Sequence, residues 1–238
     1  MVRNALVIPD THAPYQHPQA KEFLTAVKIK YGPFDGYFHL GDETDGCSWS
    51  YHESDPSLAN PDLEFERAKK FMKWLYEFTE GKCGVCKSNH GGLAYRKAKT
   101  GKIPSQIMQG AYERALEAPP GWQWFGKIYL HTPRGRVLLH HGFSSSVTWS
   151  VALKRGISVV TGHHHTKQLV REEFVPSLNK TIFAAQVGTL INNRSAAFDY
   201  NKTTPEDPKL GVLIIRDGFP HLIPMIVDHL GRWDGTVL

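Results

Sequence analysis

The sequence lacks long hydrophobic runs and has few cysteines, and these two absences exclude whole classes of protein. No apolar run approaches the ~18 residues of a transmembrane helix, which excludes a membrane-spanning protein. Cysteine occurs only 3 times in 238 residues, a number that suits a reducing compartment better than a disulfide framework. The apolar run before Pro9 is too short for the core of a signal peptide. We therefore expect a cytoplasmic protein that does not contact a membrane.

Internal repeats, low-complexity tracts and linker-like stretches are also missing, so we expect a single domain over residues 1–238. The 28 lysines and arginines exceed the 23 aspartates and glutamates by a formal net charge of +5. This small excess is compatible with acidic substrates or nucleic acid but does not require them. Histidine is the abundant residue, with 13 copies. Because histidine is the commonest metal ligand and a proton carrier near neutral pH, its abundance directs attention to metal sites.

The apolar residues predict strands that alternate with helices in the first half and mostly antiparallel strand pairs in the second. This order is typical of an α/β protein. One predicted helix contains Ala20 to Val27, and a second follows the N-cap Asn60. Two more cover Pro104–Glu117 and Val147–Arg155. The predicted strands are Arg3–Ile8, Tyr37–Leu40, Lys82–Lys87, Gly126–His131, Gly135–His140, Ile157–Thr161, Gln168–Phe174, Thr181–Val187, Gly211–Arg216 and His221–Val227.

Five polar motifs follow predicted strands directly. In an α/β sheet the carboxyl ends of the strands form the edge where binding sites lie, so motifs far apart in sequence can converge there. The side chains offer carboxylate oxygens, imidazole nitrogens and one amide oxygen, a mixed set that suits two divalent ions such as Mn²⁺, Fe or Zn²⁺. The motifs are Asp10-x-His12, Gly41-Asp42-x-x-Asp45, Asn89-His90, His141-Gly142 and Gly162-His163-x-His165.

These five motifs, in this order, resemble those of the calcineurin-like metallophosphoesterase superfamily over roughly residues 5 to 166. The resemblance implies an α/β four-layer sandwich of two mixed β-sheets flanked by helices. It also implies two divalent metal ions, with Mn²⁺ expected first and Fe or Zn²⁺ as alternatives. One ion would be held by Asp10, His12, Asp42 and His165, and the second by the bridging Asp42 with Asn89, His141 and His163.

The same resemblance implies a phosphoesterase in which His90 donates a proton to the leaving group and Asp45 orients His90. Two departures from the family pattern point away from its protein phosphatases. The third motif reads Ser88-Asn89-His90-Gly91, without the acid that commonly follows the histidine. Gly46 stands where the protein Ser/Thr phosphatases carry an arginine.

The substrate class stays open at this stage. A basic cluster follows His90, in which we expect Arg96 and Lys97 to bind substrate, with Lys99 and Lys102 nearby. This cluster and the net charge favour a phosphodiesterase acting on nucleic acid or nucleotides. A phosphomonoesterase acting on a small molecule or phosphoprotein is the alternative, as is a catalytically silent nucleic-acid-binding protein on the same fold. A solvated charge run is a further interpretation of the cluster.

Two other metal interpretations are weaker. A metallo-β-lactamase fold needs His-x-His-x-Asp-His, whereas the chain continues after His165 with Thr166-Lys167. Cys83-x-x-Cys86 could indicate a zinc or redox site, but no second cysteine pair exists and the motif lies within a predicted strand. Two buried thiols are therefore the expected outcome for Cys83 and Cys86.

Overall fold

The strands form two mixed sheets in a computed structural model that describes residues 1–51, 56–58, 60–142, 148–198 and 206–238. The first sheet has the order β11-β10-β1-β2-β3-β4, and the second has the order β5-β6-β7-β9-β8. The strands are β1 Asn4–Ile8, β2 Gly36–His39, β3 Lys82–Cys86, β4 Gly121–Phe125, β5 Ile128–Thr132, β6 Gly135–His140, β7 Ser158–Thr161, β8 Gln168–Val175, β9 Lys180–Val187, β10 Gly211–Arg216 and β11 Phe219–Pro224.

Both sheets combine parallel and antiparallel strand pairs. Strands β1 to β4 run parallel to one another, whereas β10 is antiparallel to both β1 and β11. In the second sheet β6, β7 and β9 are parallel, with β5 and β8 antiparallel at the two edges. The carboxyl ends of β1, β2 and β3 therefore share one edge of the first sheet, and those of β6 and β7 share one edge of the second.

Helices cover the outer face of each sheet. Alternation along β1 sends Leu6 and Ile8 towards the helices and Val7 into the core between the sheets. Helices α1 and α2 pack on the first sheet and α6 packs on the second, which gives four layers and confirms the expected α/β sandwich. The helices are α1 Ala20–Tyr31, α2 Pro61–Phe78, α3 Leu93–Thr100, α4 Ser105–Met108, α5 Ala111–Ala115 and α6 Thr148–Arg155.

Residues of both sheets share the central core. Val7 and Leu213 of the first sheet meet Leu139, Val160 and Phe183 of the second in this core. Burying such side chains contributes about 1.5–3 kcal/mol each. No helix in the described ranges combines the length and the apolarity needed to cross a membrane.

The two cysteines of β3 are buried, as expected, and they lie in different cores. Cys83 packs among the residues beneath α1 and α2, whereas Cys86 packs between the two sheets. Three positions along a strand place side chains on opposite faces, so the two thiols cannot share a metal ion or form a disulfide. Burial raises the pKa of both thiols, and both are free.

Most predicted elements are confirmed, but the region between β3 and β5 differs from the prediction. Asn60 caps α2 by accepting a hydrogen bond from the Leu63 N–H at 3.0 Å, with Pro61 as the first helical residue. The single helix predicted over Pro104–Glu117 is wrong, because α4 and α5 are separate there. Gly110 between them has a φ of 65°, which no helix continues through. The predicted helix start at Val147 lies outside the described residues.

Candidate metal centre

The five motifs converge at one edge of the sandwich, where the parallel strands of both sheets end. Loops after β1, β2 and β3 carry the residues from the first sheet, and loops after β6 and β7 carry those from the second. A hydrogen bond joins the two sets of loops, because the His163 N–H donates to Asp10 Oδ2 at 2.8 Å. The ligand residues predicted from the sequence therefore lie together although 155 positions separate Asp10 from His165.

Asp10, His12 and His165 form the first group of ligating atoms. His165 Nε2 lies 3.3 Å from Asp10 Oδ2 and 3.1 Å from His12 Nε2. The ligating atoms of the three residues lie within 4.8 Å of one another. Asp10 and His12 are fully buried, and His165 is partly buried. These positions leave the three side chains able to hold one ion.

A second group consists of Asp42, His141 and His163, with Asn89 beside it. His141 Nε2 lies 3.2 Å from Asp42 Oδ2, 3.2 Å from His163 Nδ1 and 2.7 Å from Asn89 Oδ1. Asp42 Oδ2 is also 3.7 Å from His12 Nε2, so this carboxylate lies between the two groups. That position is the one that a bridging ligand needs.

Asp10 shows that the site suits a cation. Its Oδ1 atom is completely buried and has no hydrogen-bond partner among the described residues. A buried carboxylate oxygen without a partner is costly unless a cation contacts it. Gly162 lies against the same oxygen, where a Cβ atom would come within 2.3 Å of Asp10 Oδ1. The donor set of carboxylates, imidazoles and an amide oxygen fits a divalent ion such as Mn²⁺, Fe²⁺ or Zn²⁺.

Protein oxygens fix the ring orientation of two of the histidines. The Nδ1 atom of His12 lies 2.8 Å from Asp45 Oδ1, and that of His141 lies 3.0 Å from the Leu40 carbonyl. A histidine that donates from Nδ1 presents Nε2 to a metal, and such partners orient metal-ligating histidines generally. The contact between Asp45 and His12 was not anticipated from the sequence, which suggested only that Asp45 contacts His90.

The backbone reaches this geometry through left-handed residues. His12, Asp42 and His163 have φ values of 46°, 49° and 66°. This conformation costs a residue with a side chain roughly 1–2 kcal/mol. The Asp42 carbonyl accepts hydrogen bonds from the N–H groups of Thr11 and His12, at 3.1 and 2.8 Å, and thereby joins the loops after β1 and β2. The surrounding structure thus holds three ligand residues in strained conformations, as is common at functional sites.

Charges within the site shift the pKa values of several groups. Burial opposes ionisation of Asp42, but the imidazoles of His141 and His90 outweigh it and hold the pKa of Asp42 well below its usual range. Burial also opposes the protonation of His141, yet Asp42 and Asp10 raise the pKa of His141 to about 9. For His12 and His163 burial prevails and lowers the pKa. His141 therefore carries a positive charge beside the carboxylates at neutral pH.

His90 lies beside both ligand groups. Its N–H donates to Asp42 Oδ1 at 3.0 Å, and its ring centre is 4.6 Å from that of His12. Its Nδ1 atom donates to the Asp45 carbonyl and lies 3.2 Å from Asp45 Oδ1. Burial lowers the pKa of His90, but Asp42 and Asp45 exceed this effect and raise it above its usual value. Asp45 thus contacts His90, as expected, while leaving Nε2 of that ring available.

Two supporting residues were missed by the sequence analysis. Ser88 Oγ accepts hydrogen bonds from the N–H groups of Asp42 and Gly91, at 2.9 and 3.2 Å. Glu64 of α2 is buried and accepts from the N–H groups of Gly46, Cys47 and Ser48, at 2.8 to 2.9 Å. A serine before the motif and an acid on an amphipathic helix give no local signal of these roles.

The basic cluster lies on α3, which begins just after His90. Arg96 donates a hydrogen bond to the backbone carbonyl of Asn89 at 2.8 Å, so its guanidinium group lies at the candidate metal centre. Tyr51 is exposed, and its ring centre lies 5.6 Å from the Arg96 guanidinium carbon and 4.8 Å from Lys97 Nζ. Arg96 therefore supports a ligand loop as well as adding positive charge near it.

Comparisons with known proteins support the fold. No protein-family model and no curated protein matches the sequence. A solved structure of an archaeal phosphodiesterase matches with a TM-score of 0.50 and 12% identity, over 93% of this chain and 99% of that one. A Thermotoga maritima protein solved by NMR has a TM-score of 0.41 and 14% identity over 94% of this chain and 98% of its own. A metallophosphoesterase from Sphaerobacter thermophilus has a TM-score of 0.42 and 12% identity, over 93% and 88%. The likeness to the archaeal structure shows a shared fold, the one that the sequence motifs implied.

Proposed function

We propose that this protein is a dinuclear metal-dependent phosphoesterase that hydrolyses phosphodiesters of nucleic acid or nucleotides. The observation that carries the proposal is the pair of ligand groups on either side of Asp42 Oδ2, which lies 3.7 Å from His12 Nε2 and 3.2 Å from His141 Nε2. Structural ion pairs rarely bring so many buried imidazoles and carboxylates together without a cation.

Two ions would be held by residues from both sheets. Asp10, His12, Asp42 and His165 would hold one, and Asp42, Asn89, His141 and His163 would hold the other. Such a pair supplies a hydroxide near neutral pH and neutralises the phosphoryl oxygens. Mn²⁺ is the ion that we expect, because oxygen and imidazole ligands without thiolates suit it.

The chain itself supplies the proton for the leaving group. Asp42 and Asp45 raise the pKa of His90 above its usual value, which favours the protonated ring, and Asp45 holds its Nδ1 atom. The free Nε2 atom is then the donor to the departing alkoxide, a transfer that contributes about 10²–10⁴-fold in general acid catalysis. Asp45 has a second role, because it also orients His12.

The substrate class is supported by positive charge beside the site. Arg96 and Lys97 flank the exposed ring of Tyr51, and Lys99 and Lys102 extend the charge along α3 and its end. A phosphodiester within a polymer has neighbouring phosphates for such cations, whereas a phosphomonoester has none. An exposed tyrosine between cations also offers a surface for a nucleobase.

The test is the Asp42→Asn variant with Asp217→Asn as its matched control. Asp217 follows β10, which is antiparallel to β1, so it lies at the opposite edge of the sheet, where it contacts Arg3. We expect Asp42→Asn to lose most bound Mn²⁺ and nearly all hydrolysis of a chromogenic phosphodiester, with both unchanged in the control. Metal content and turnover that survive in Asp42→Asn would contradict a shared ligand.

A substrate panel on Mn²⁺-loaded protein then separates the classes. Mono- and diester chromogens, cyclic nucleotides, DNA, RNA and a phosphopeptide should be compared at equal concentration. Preference for nucleotide or polynucleotide diesters is the expected result. Faster turnover of monoesters would establish a phosphatase instead, and nucleic-acid binding without turnover of any ester would establish a binding protein.

A further inference from the structure

A cavity lies on the outer face of the second sheet, beside the loop that carries His163 and His165. Its volume is about 450 Å³, a size within the usual range of small-molecule sites. Trp149 of α6, Leu169 of β8 and Ala184 of β9 form apolar parts of its lining. The polar lining consists of Thr166, Lys167, Gln168, Arg171, Gln186, Glu206 and Lys209.

Gln186 is a polar side chain on the outer face of β9, where it lines this cavity. Its neighbours Ala185 and Val187 point into the core between the sheets, so Gln186 points outward with Ala184. Only 6% of Gln186 is exposed. Among the described residues its side-chain amide has no hydrogen-bond partner, although it lines the cavity. Because the amide lines the cavity, a ligand there can use both its N–H donors and its carbonyl acceptor.

Two lysines give the cavity positive charge. Lys167 and Lys209 are exposed, and neither has a carboxylate partner among the described residues. Arg171 is already engaged, since its guanidinium group lies 4.5 Å from the Trp149 ring and 2.6 Å from Glu173 Oε1. The free ammonium groups are therefore the ones that can bind an anion.

The cavity adjoins the candidate metal centre through backbone connections. Lys167 is two residues beyond His165, so their Cα atoms are at most about 7.6 Å apart. The Lys209 N–H donates to the His165 carbonyl at 2.8 Å. Gln186 pairs with Thr161, the last residue of β7, and His163 follows two positions later. The lining of the cavity is therefore joined by short stretches of backbone to the loop that carries His163 and His165.

We infer that this cavity binds the nucleotide that neighbours the scissile phosphate, so that the substrate is a dinucleotide or an oligonucleotide. This inference rests on the proposed phosphodiesterase function. The apolar side chains of Trp149 and Leu169 suit contact with a nucleobase, and the Gln186 amide matches the paired donor and acceptor on a base edge. Lys167 and Lys209 suit the phosphate, and the Glu206 carboxylate can accept from sugar hydroxyls.

Direct binding tests the cavity independently of hydrolysis. Calorimetry would measure the binding of adenosine 5′-monophosphate and of inorganic phosphate to the full-length protein, with Mn²⁺ and again with a chelator. The variants are Gln186→Leu, which keeps the volume but removes the amide, and Lys167→Ala combined with Lys209→Ala. The control is Lys82→Ala with Lys180→Ala, because both lysines begin strands at the opposite edge.

The expected result is that the nucleotide binds with and without metal and that inorganic phosphate binds far more weakly. Each cavity variant should weaken nucleotide binding about tenfold, as for a lost base or phosphate contact, while the control does not. Because Lys167 and Lys209 are exposed, that double variant should fold even if Gln186→Leu does not. Nucleotide binding that is absent, equal to phosphate binding, or unaffected by the lysine variant would overturn the inference.

Turnover separates this inference from the proposed function. With Mn²⁺ present, the cavity variants should raise KM for a dinucleotide about tenfold and leave a chromogenic diester unchanged, because the chromogen has no neighbouring nucleotide. If variant and wild type hydrolyse both substrates at equal rates, the nucleotide-binding role of the cavity is wrong, whereas the proposed phosphoesterase function is retained. Nucleotide binding in the cavity without turnover of any ester would refute the phosphoesterase instead.

Discussion

A carbonyl or carboxylate oxygen beside each of two histidines in the candidate metal centre determines which ring nitrogen donates and which one faces the other ligands. His12 and His141 each donate from Nδ1 to a protein oxygen, so Nε2 faces the other ligands. His141 in addition lies 2.7 Å from Asn89 Oδ1 through Nε2, a contact that needs a second proton on the ring. That doubly protonated ring agrees with its raised pKa, and a metal ion can bind it only by displacing the Nε2 proton.

Metal affinity should therefore depend on pH. The pKa of His141 is raised to about 9, so the ring holds a competing proton at neutral pH, and a rising pH removes this competitor. We expect Mn²⁺ affinity to rise up to about tenfold per pH unit between about pH 6 and pH 9 and then to level off. Calorimetry in buffers of different ionisation enthalpy measures both the affinity and the protons released.

The matched control for this measurement is His131→Gln, since His131 is an exposed strand histidine. It should leave the pH dependence unchanged. An affinity that is the same at pH 6 and pH 9, or a binding reaction without proton release, would contradict a protonated ligand at the centre.

Removal of the His90 ring separates proton donation from metal binding. In His90→Ala the bound metal should stay, because the predicted ligand groups are intact. Turnover of an alkyl diester should fall by about 10²–10⁴-fold, and turnover of an activated aryl diester should fall far less, because a good leaving group needs no proton. Metal analysis and the two rates together check this expectation.

His131→Ala serves as the control for the loss of an imidazole outside the site. Equal losses with both diesters would indicate that His90 positions the phosphate. Loss of metal in His90→Ala would make it a ligand, a possibility that its position beside His12 and Asp42 makes worth measuring.

At the scale of an element, the loop after β2 depends on a helix 16 residues later in sequence. Glu64 accepts hydrogen bonds from the N–H groups of Gly46, Cys47 and Ser48, which directly follow Asp45 in this loop. Burial raises the pKa of Glu64, and the hydrogen bonds that Glu64 accepts from Ser48 lower it by less. The three bonds hold Asp45 beside His12 and His90, so α2 acts on the site through this loop.

Glu64→Leu should lower the free energy of unfolding by about 2–4 kcal/mol, because buried N–H groups lose their acceptor. Glu64→Gln should lower the free energy of unfolding by less, since an amide oxygen still accepts hydrogen bonds. Urea unfolding measures both, and Mn²⁺ titration of the folded variants should show weaker binding as the loop loosens.

Glu66→Leu is the matched control on the same helix, because Glu66 is exposed and, among the described residues, forms an ion pair with Lys69 alone, at 3.4 Å. Its effect should stay within about 0.5 kcal/mol. A loss in Glu66→Leu as large as that in Glu64→Leu would mean that helix propensity, and not the loop, explains the result.

Most elements could be predicted because each leaves a local pattern, and those that could not be predicted depend on distant partners. The N-cap at Asn60 and the strand ends before Asp10 and Asp42 follow from neighbouring residues alone. Strand β4 could not be predicted in this way, because its five residues are held by pairing with residues of β3 that lie 39 positions earlier. The break at Gly110 was also missed, since glycine within a helical pattern is tolerated as often as it ends a helix.

In the candidate metal centre too, features with a local sequence pattern could be predicted and features that depend on distant partners could not. The residue types and order of the five motifs predicted which side chains would meet, and the structure places them together. Ser88, and the bond between Asp45 and His12, could not be predicted, because hydrogen-bond partners depend on loop conformations that have no periodic signal. For Cys83 and Cys86, the spacing itself excludes a shared site once they are assigned to a strand.

For the whole molecule, the candidate ligands connect the two sheets. Asp10, His12, Asp42 and Asn89 belong to loops of the first sheet, and His141, His163 and His165 to loops of the second. Ions bound between them would add to the apolar core as a second link, placed at the edge of the sandwich. Unfolding would then require that both ions dissociate.

Metal should consequently stabilise the fold by an amount that grows with the logarithm of its free concentration above Kd. At a free Mn²⁺ concentration 1,000 times Kd, one site adds about 4 kcal/mol to the free energy of unfolding. Chelation should remove this increment and lower the urea midpoint, and Asp42→Asn should show little of it. A midpoint that does not respond to metal in the wild type would contradict ligands shared between the sheets.

The left-handed residues have a consequence for engineering this chain. His12, Asp42 and His163 occupy backbone conformations that glycine adopts without cost. Selection for thermal stability in the absence of metal would therefore favour glycine or asparagine at these three positions, and each such gain would remove a candidate ligand. Stabilising substitutions should thus be sought elsewhere in the molecule, because at these three positions stability and activity cannot be improved together.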